Sequence, residues 1–375
     1  MNKPKPVDFS DSNIAGLGTD LEKKLRLSTA ETEKAWDGVG KKVELRVWRI
    51  ENFAVKAWPK ASYGTFFSGD SYIVLNTWQK PGNPKLFHDI HFWLGKDTSQ
   101  DEAGTAAYKT VELDDYLGTF PVQHREIQGA ESSLFLSYFT HFHTQDGGVE
   151  SGFNHVHPET YTPRLFRVRV TGHSLVITQV AISSQSINSG DVFILDTGRS
   201  ILQLNGKTST GMERARAAEF SRKLSDDREG QAQVSVFAED DADAEPFWTG
   251  IGGKNGPIMS GEEAKRLRTP PKFDKTLLRL SDRTGKLLFK QEAKGKILHS
   301  QLDSSDVFVV DSGDHGKDSA QLFVWIGKAA DAQERRQAMR YALEYIKHNG
   351  RPATVPITSV PEGGESELFT QVLDR

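Results

Sequence analysis

An eight-residue pattern recurs three times along the chain and constrains its fold more than any other feature. The copies lie at residues 68–75, 189–196 and 304–311. In each copy a polar turn and an aspartate precede a β-branched and aromatic run, which predicts a buried strand. The three aspartates, at positions 70, 191 and 306, are 121 and 115 residues apart. A period of this length indicates repeated domains and not a solenoid of short units.

A second predicted strand, ended by a Gly-Lys pair, follows each copy. Seven residues after each corner glycine comes a glutamate at the start of a predicted helix. The pairs are Gly95 and Glu102, Gly206 and Glu213, and Gly327 and Glu334. A further strand precedes each aspartate, at about 43–50, 165–170 and 277–280. Strands mixed with helices over ~110 residues predict an α/β fold of the α+β type, in which each domain has a central mixed β-sheet packed between helices.

The length of 375 residues fits three domains of ordinary size. We assign residues 1–40 to a flexible N-terminal tail and 41–150 to the first domain. Residues 151–262 hold a linker and the second domain, and 263–375 a connector and the third. The tail assignment rests on the polar composition of the chain before Trp36.

Composition excludes several classes of protein. The net charge of −4 provides no positive field for nucleic acid, and no run approaches the ~20 apolar residues of a membrane span. The N-terminus resembles no secretory signal. The absence of cysteine excludes disulfides, thiolate metal sites and a cysteine nucleophile. We therefore expect a soluble, cytoplasmic protein.

The recurring acidic pair allows two interpretations. An aspartate at a strand start, a glutamate in the first turn of a helix and a turn carbonyl form an all-oxygen set that suits Ca²⁺ better than Mg²⁺. Each glutamate also lies three residues after Ser99, Thr210 or Asp331, the spacing of a helix capping box. The residues alone leave both interpretations open.

Other candidate sites are weaker. The histidine pairs at 141 and 143 and at 155 and 157 could bind zinc, or could be ordinary surface histidines. The chain has no nucleophile elbow, zinc-protease helix or dinucleotide fingerprint. We therefore expect that it is not an enzyme. A carboxylate-dependent hydrolase is the enzymatic alternative, although it would need one asymmetric acidic pair and not three copies.

Longer motifs carry a family resemblance. Residues 100–107, 111–117 and 122–129 resemble the first domain of the gelsolin family, residues 148–153 the start of its linker, and residues 361–369 the end of its third domain. The resemblance covers about residues 41–375. With three domains, the chain is similar to the severin and fragmin branch of that family.

The resemblance implies calcium-dependent severing of actin filaments, with barbed-end capping and nucleation. The alternative is a calcium-dependent module that caps actin filaments or binds their sides without severing them. The implied partners are filamentous and monomeric actin, in the cytoskeleton, and phosphoinositides. Of the two phosphoinositide segments of the family, the one at 140–145 has no lysine here, whereas 164–169 keeps its basic residues.

The resemblance also implies the calcium ligands. In the first domain these are the Gly69 carbonyl, Asp70, Glu102 and the Val149 carbonyl, and Asp114 would bind a calcium ion shared with actin. In the second domain they are the Gly190 carbonyl, Asp191, Glu213 and an acidic residue of the connector, Asp274 or else Glu263. In the third domain they are Ser305, Asp306 and Glu334.

Two groups of residues are implied to contact actin. One is the small face of the first helix, with Ala103, Gly104, Ala106 and Ala107, and Tyr108 at its far end. The other is a set of arginines in the second domain, namely Arg164, Arg167, Arg169, Arg214 and Arg216. These arginines could instead simply solvate a strand edge and a helix.

Overall fold

The strands form two mixed β-sheets, each with helices on both faces. The computed structural model describes residues 33–118, 121–148, 161–171, 174–228, 230–268, 273–285, 287–313 and 321–374. The strands are β1 (Glu44–Glu51), β2 (Ala54–Ala57), β3 (Thr65–Phe67), β4 (Ser71–Gln79), β5 (Leu86–Leu94), β6 (Val122–Ile127), β7 (His141–Gln145), β8 (Arg164–Thr171), β9 (Ser174–Val180), β10 (Val192–Asp196), β11 (Ser200–Asn205), β12 (Gln233–Ala238), β13 (Thr276–Ser281), β14 (Leu288–Lys294), β15 (Val307–Asp311), β16 (Leu322–Ile326) and β17 (Ile357–Pro361). The helices are α1 (Gln100–Tyr116), α2 (Ser133–Ser137), α3 (Gly211–Asp226), α4 (Glu245–Gly250), α5 (Gly261–Arg268), α6 (Ala332–His348) and α7 (Glu367–Val372). Within the described ranges, none of the helices has the length and apolar character needed to cross a bilayer.

The first and third repeats share one sheet of ten strands. Its order is β14-β13-β15-β16-β17-β6-β5-β4-β1-β2. The junction is the antiparallel pair β6 and β17, where His124 lies opposite Thr358. We call this junction the seam. The predicted α+β class is confirmed, and the sheets of two repeats are continuous.

The second sheet has seven strands, in the order β12-β11-β10-β8-β9-β7-β3. Strands β3 and β7 come from the segment assigned to the first domain, and β7 pairs in parallel with β9 of the second repeat. This sheet therefore crosses the boundary predicted at residue 150.

Each repeat packs a long helix on one face of its sheet and a short helix on the other. Alternate residues of a strand point to opposite faces. In β4, Ile73 and Leu75 pack in a cluster with Leu113 of α1, whereas Tyr72 and Val74 pack with Phe135 of α2. Helices α3 and α4 cover the second repeat in the same way, and α6 and α7 the third.

The predicted tail is too long at its C-terminal end, because residues 33–40 pack on the first repeat. The indole of Trp36 is fully buried, lies 5.1 Å from the ring of Trp48, and donates to Glu112 Oε1 at 2.9 Å. Lys109 Nζ lies 2.9 Å from Glu33 Oε2. A buried tryptophan and an ion pair fix this segment on α1. The rest of the predicted tail, residues 1–32, lies outside the described residues.

Candidate metal centres and partner surfaces

The strand-to-helix corner is built in the same way in all three repeats. The N–H of the corner glycine donates to the carbonyl of the strand aspartate, at 3.0, 3.0 and 3.1 Å along the chain. A Cβ on that glycine would lie 2.2, 2.6 and 2.2 Å from the carbonyl oxygen of the serine two residues before the aspartate. Only glycine fits this close approach. The corner thereby holds the aspartate next to the start of the helix.

In the second repeat the glutamate closes a capping box. Thr210 N and Oγ1 each donate to Glu213 Oε2 at 2.9 Å, and Glu213 N donates to Thr210 Oγ1 at 3.2 Å. The other carboxylate oxygen, Oε1, accepts from Val170 N at 3.2 Å. Asp191 is 3% exposed and accepts from Asn188 Nδ2 at 2.9 Å. Both predicted carboxylates are therefore buried and oriented by hydrogen bonds.

The third repeat repeats this arrangement. Glu334 Oε2 accepts from Asp331 N at 3.1 Å, and Oε1 accepts from Asp282 N at 2.8 Å. Burial raises the pKa of Glu334, and the nearby Asp306 carboxylate acts in the same direction. A cation beside these two groups would relieve both effects.

Two arginines occupy the third acidic centre. Arg279 Nε donates to Asp306 Oδ2 at 3.1 Å, and Arg283 Nη2 lies 3.1 Å from the same oxygen. Asp306 is fully buried, and its Oδ1 has no hydrogen-bond partner in the described part of the chain. The predicted ligand Ser305 donates to Asp303 Oδ1 at 2.7 Å. One oxygen of Asp306 is thus neutralised by arginine, while the other is a buried acceptor without a donor.

In the first repeat, Asp70 is fully buried and Tyr72 donates to its Oδ2 at 3.0 Å. Burial and the charge of Asp70 raise the pKa of the Tyr72 phenol. The segment before Val149 runs past this aspartate, because a Cβ on Gly148 would lie 2.6 Å from Asp70 Oδ1. Val149 itself lies outside the described residues. Glu102 N donates to Ser99 Oγ at 3.1 Å, the forward bond of a cap.

The donor set fits a calcium ion. Each centre offers only oxygens, and a carboxylate oxygen that accepts one hydrogen bond keeps a further lone pair for a metal. The buried Asp306 Oδ1 is a costly group that a cation would satisfy. The two interpretations of the acidic pairs are therefore compatible, since the capping boxes of α3 and α6 exist and leave acceptor capacity free. Calcium binding itself stays a prediction.

The structure does not bring Asp274 to the second centre. Its carboxylate is exposed and lies 2.9 Å from Lys294 Nζ of the third repeat. The connector residues against the second centre are 259–261 instead. Ser189 N donates to Met259 O at 2.9 Å, and a Cβ on Gly190 would lie 2.8 Å from Gly261 Cα. Glu263, the alternative to Asp274, lies two residues further along, in the first turn of α5.

The predicted small face of α1 is only partly available to a partner. Ala106 is fully buried in the core of the first repeat, so its place in that face is wrong. Ala103 and Ala107 are half-buried. Gly104 is exposed, with nothing within 4 Å of a Cβ built on it, and Tyr108 is 45% exposed. Gly104 and Tyr108, one turn apart, form the open stripe. Asp114, half-buried near the end of the helix, stays a predicted ligand.

Arg164 is engaged inside the chain. Its guanidinium donates to Tyr161 OH, Gln145 Oε1 and Asp196 Oδ2 at 2.9, 2.7 and 3.2 Å. Arg228 binds the same aspartate. Burial acts to raise the pKa of Asp196, but hydrogen bonds from Arg228 and Tyr161 hold it below its ordinary value. Arg164 is therefore held in place by contacts within the chain, and its contact with actin stays a prediction.

The other four arginines do not form one surface. Arg167 and Arg169 are half-buried on β8, on the strand face that carries Leu165 and lies away from α3. Arg214 and Arg216 are on α3, which covers the opposite face of the sheet. Arg214 bonds to Ser209 at the helix start, and Arg216 forms an exposed ion pair 2.9 Å long with Glu219.

A buried histidine cluster, which no sequence pattern indicates, lies at the seam. The rings of His91 and His124 stack with centroids 4.1 Å apart and planes at 10°. Ligand atoms of these histidines and Glu126 lie within 4.8 Å of one another. A metal must lie in the plane of each imidazole that binds it, and two stacked rings cannot satisfy this for one ion. His91 Nδ1 lies 2.9 Å from Glu126 Oε1, so we interpret the cluster as a hydrogen-bonded network. Only the register of β5 and β6, which the sequence does not reveal, aligns these histidines.

Comparison with known proteins shows repeats along the whole chain. A family model described as Gelsolin repeat matches residues 53–136, 174–241 and 289–370. The chain is 41% identical to gelsolin-like protein 2 of Lumbricus terrestris, over 99% of this chain and 98% of that protein. It is 37% identical to severin of Echinococcus granulosus, over 100% of this chain and 99% of that protein. It is also 39% identical to gelsolin of Gallus gallus, over 96% of this chain and 47% of that protein.

Proposed function

Because this chain belongs to the gelsolin family, as its motifs predicted, we propose that it severs actin filaments in response to calcium, caps their barbed ends and nucleates new filaments. The family consists of actin-binding regulatory proteins and not of enzymes. The observation that carries the proposal is the end-to-end similarity to a protein named severin, together with three matching repeats. The proposed place of action is the cytoskeleton of the cytoplasm.

The acidic pair of each repeat is the proposed calcium site. Asp70 and Glu102, Asp191 and Glu213, and Asp306 and Glu334 would hold the ions, with carbonyls completing each set. A bound ion would neutralise two carboxylates at each site, all of them buried except the half-buried Glu102. Asp191 and Glu213 are already positioned by hydrogen bonds, which lowers the ordering cost of binding. Guanidiniums lie beside two of the sites and would compete with the ion there, since Arg49 Nη1 lies 3.5 Å from Asp70 Oδ2 in the first and Arg283 Nη2 lies 3.1 Å from Asp306 Oδ2 in the third.

The proposed actin surfaces follow from exposure. In the first repeat, Gly104 and Tyr108 form the open stripe of α1, and an aromatic residue beside a glycine suits a close interface. In the second repeat, Arg214 and Arg216 are on the exposed side of α3. If the second repeat binds the side of a filament, it raises the effective concentration of the first repeat near a filament joint. The first repeat can then displace an actin–actin contact and remain as a cap.

The proposed activity requires the seam to open. Strands β6 and β17 pair over three residues of each, and His124 Nδ1 lies 3.0 Å from Thr358 Oγ1. Such a short pairing can open at a modest cost in free energy. We propose that the open and closed arrangements differ in calcium affinity, so that binding shifts the population towards the open one.

Imaging of single labelled filaments tests the proposal. We expect new breaks in mid-filament after addition of the protein with calcium, and none with a chelator. The variants Asp191→Asn and Asp114→Asn should each raise the calcium concentration needed. If calcium stops growth at barbed ends without creating breaks, the chain caps filaments or binds their sides only, which is the second candidate function.

Phosphoinositides are a further proposed partner. A cavity of roughly 820 Å³ between the first and second repeats is lined by basic residues, among them Arg164, Arg199 and Lys223. His143 also lines it, and its buried Nε2 has no partner among the described residues. These groups can donate to phosphate oxygens. Co-sedimentation with vesicles containing phosphoinositides tests this, with Lys223→Ala expected to weaken binding and vesicles of neutral lipid as the control.

A further inference from the structure

One strand position is equivalent in all three repeats. It is the strand that pairs in parallel with the strand before the Gly-Lys corner, namely β6, β12 and β17. Five residues before the corner glycine come Ile90, Ile201 and Leu322 in the three repeats. These residues lie opposite Gln123, Val234 and Ile357. The next residues, His124, Ser235 and Thr358, are therefore equivalent as well.

The seam pairs two of these equivalent strands with each other. His124 lies opposite Thr358, and Gln123 lies opposite Ser359. Because the central residues are equivalent and the strands are antiparallel, the pairing has a local two-fold axis through this central pair. The chain thus already contains a self-complementary pairing of this strand.

The third equivalent strand, β12, lies at the end of the seven-stranded sheet. On the inner side, the N–H groups of Gln233 and Glu239 donate to the carbonyls of Arg199, just before β11, and Asn205, its last residue, both at 3.0 Å. The backbone groups of alternate residues point to opposite sides of a strand, so those of Val234 and Val236 point away from β11. Val234 and Val236 are equivalent to Gln123 and Arg125 of β6 and to Ile357 and Ser359 of β17, which lie opposite each other across the seam. The outer edge of β12 offers the same donors and acceptors to a further strand.

Strand β12 also lacks the features that usually protect an edge. Sheet edges avoid unwanted pairing through charges, proline, bulges or short length. Of the other end strands in the described sheets, β14 has three charged residues and a bulge at its pairing with β13, β2 has Lys56, and β3 is three residues long. Strand β12 has six residues with neither charge nor proline, and Val236 is 52% exposed.

We propose that a second copy of this chain binds along β12, antiparallel and with the two-fold axis at Ser235. Val234 of each copy then lies opposite Val236 of the other, and the two pairs form four main-chain hydrogen bonds. Cross-strand pairs of β-branched residues add to such an interface. The occupant is another copy because the seam shows this strand type pairing with its own equivalent, and β6 and β17 are already paired. The two seven-stranded sheets become one sheet of fourteen strands.

The two-fold axis makes a distance prediction that an introduced cysteine can test. Opposed residues at a non-hydrogen-bonded antiparallel position have Cα atoms about 4.5 Å apart, which is within disulfide range. The two copies of Ser235 occupy this position. The two copies of Gln233 are separated by roughly 14 Å along the strand, because each residue rises about 3.4 Å. The chain has no cysteine of its own, so each variant carries one thiol.

The experiment compares the full-length variants Ser235→Cys and Gln233→Cys under mild oxidation at equal protein concentration. We expect Ser235→Cys to form covalent dimers at least about tenfold faster, because the pairing raises the local thiol concentration. Adding Val236→Lys, or an excess of the unmodified chain, should slow this reaction to the rate of the Gln233→Cys control. Equal rates for the two cysteines overturn the proposal, as does a rate that neither addition lowers. The competition by unmodified chain requires no second substitution, so the test holds even if Val236→Lys impairs folding.

Discussion

Replacing Glu213 by glutamine separates helix capping from metal binding. Glu213 accepts from Thr210 through one oxygen and from Val170 N through the other. A glutamine can keep the first oxygen, but its amide nitrogen then faces the N–H of Val170. Without calcium, the lost bond costs about 0.5–1.5 kcal/mol and the lost first-turn charge about 0.3–1 kcal/mol. We therefore expect the free energy of opening α3 to fall by about 1–2 kcal/mol.

Calcium should enlarge this difference. A ligand at 100 times its dissociation constant stabilises the folded state by about 2.7 kcal/mol, and the glutamine variant should lose most of this gain. Hydrogen exchange of α3 amides, with calcium and with chelator, measures both values locally. The matched control is Glu102→Gln. In the described part of the chain the Glu102 side chain accepts no capping bond, so its calcium-free difference should be limited to the lost first-turn charge, about 0.3–1 kcal/mol. If the effect of Glu213→Gln is the same with and without calcium, Glu213 is a cap only.

Three further changes test other parts of the structure. Arg283→Gln should strengthen calcium binding at the third centre, measured by calorimetry, because it removes a competing cation beside Asp306. His143 has a pKa lowered to about 3 by burial and by Arg164, so between about pH 6.5 and 3 the unfolded state binds more protons and acid destabilises the fold. His143→Phe should therefore remove about 1.4 kcal/mol per pH unit from the slope of the unfolding free energy in that range. Thr358→Val should weaken the seam by about 1–3 kcal/mol, because it leaves Nδ1 of the buried His124 without its partner while Nε2 keeps Asp89. Faster cleavage by protease near β17 would report this.

Matched controls define the outcomes of these tests. For Arg283 the control is Lys294→Gln, which removes an exposed cation of the same repeat that pairs with Asp274. Equal calcium affinity in both variants would contradict competition by Arg283. An unchanged acid slope in His143→Phe would place the acid sensitivity elsewhere, and unchanged protease sensitivity in Thr358→Val would mean that the hydroxyl does not support the seam.

Local features of the fold could be predicted from the sequence, whereas pairing between repeats could not. The Gly-Lys corners and the helix that begins after Asp331 follow from short-range geometry, and the structure has both. The position of β7 in the second sheet and the seam depend on contacts between distant segments, which no local pattern encodes. Burial of Ala106 was missed because helical spacing alone does not tell which side of a run of small residues faces the core.

The candidate sites divide in the same way. The buried carboxylates Asp191 and Glu213 lie where the repeat pattern predicts them. The contacts of the arginines, in contrast, depend on residues that are distant in sequence. Arg164 meets Asp196 and Tyr161, which are distant in sequence, and Arg283 reaches Asp306 from the turn after β13. No local pattern in the connector identifies the acidic residue of the second centre, and the structure places residues 259–261, and not Asp274, against Gly190.

The seam also has a consequence during protein synthesis. His124 and Thr358 are 234 residues apart, so β6 leaves the ribosome long before β17 exists. At about 5–20 residues per second, the nascent first repeat waits roughly 10–50 s with this edge uncovered. Strand β6 carries Arg125, a charge that discourages pairing with a neighbouring nascent chain on the same message. The completed ten-stranded sheet thus depends on an edge that remains unpaired until β17 has been synthesised.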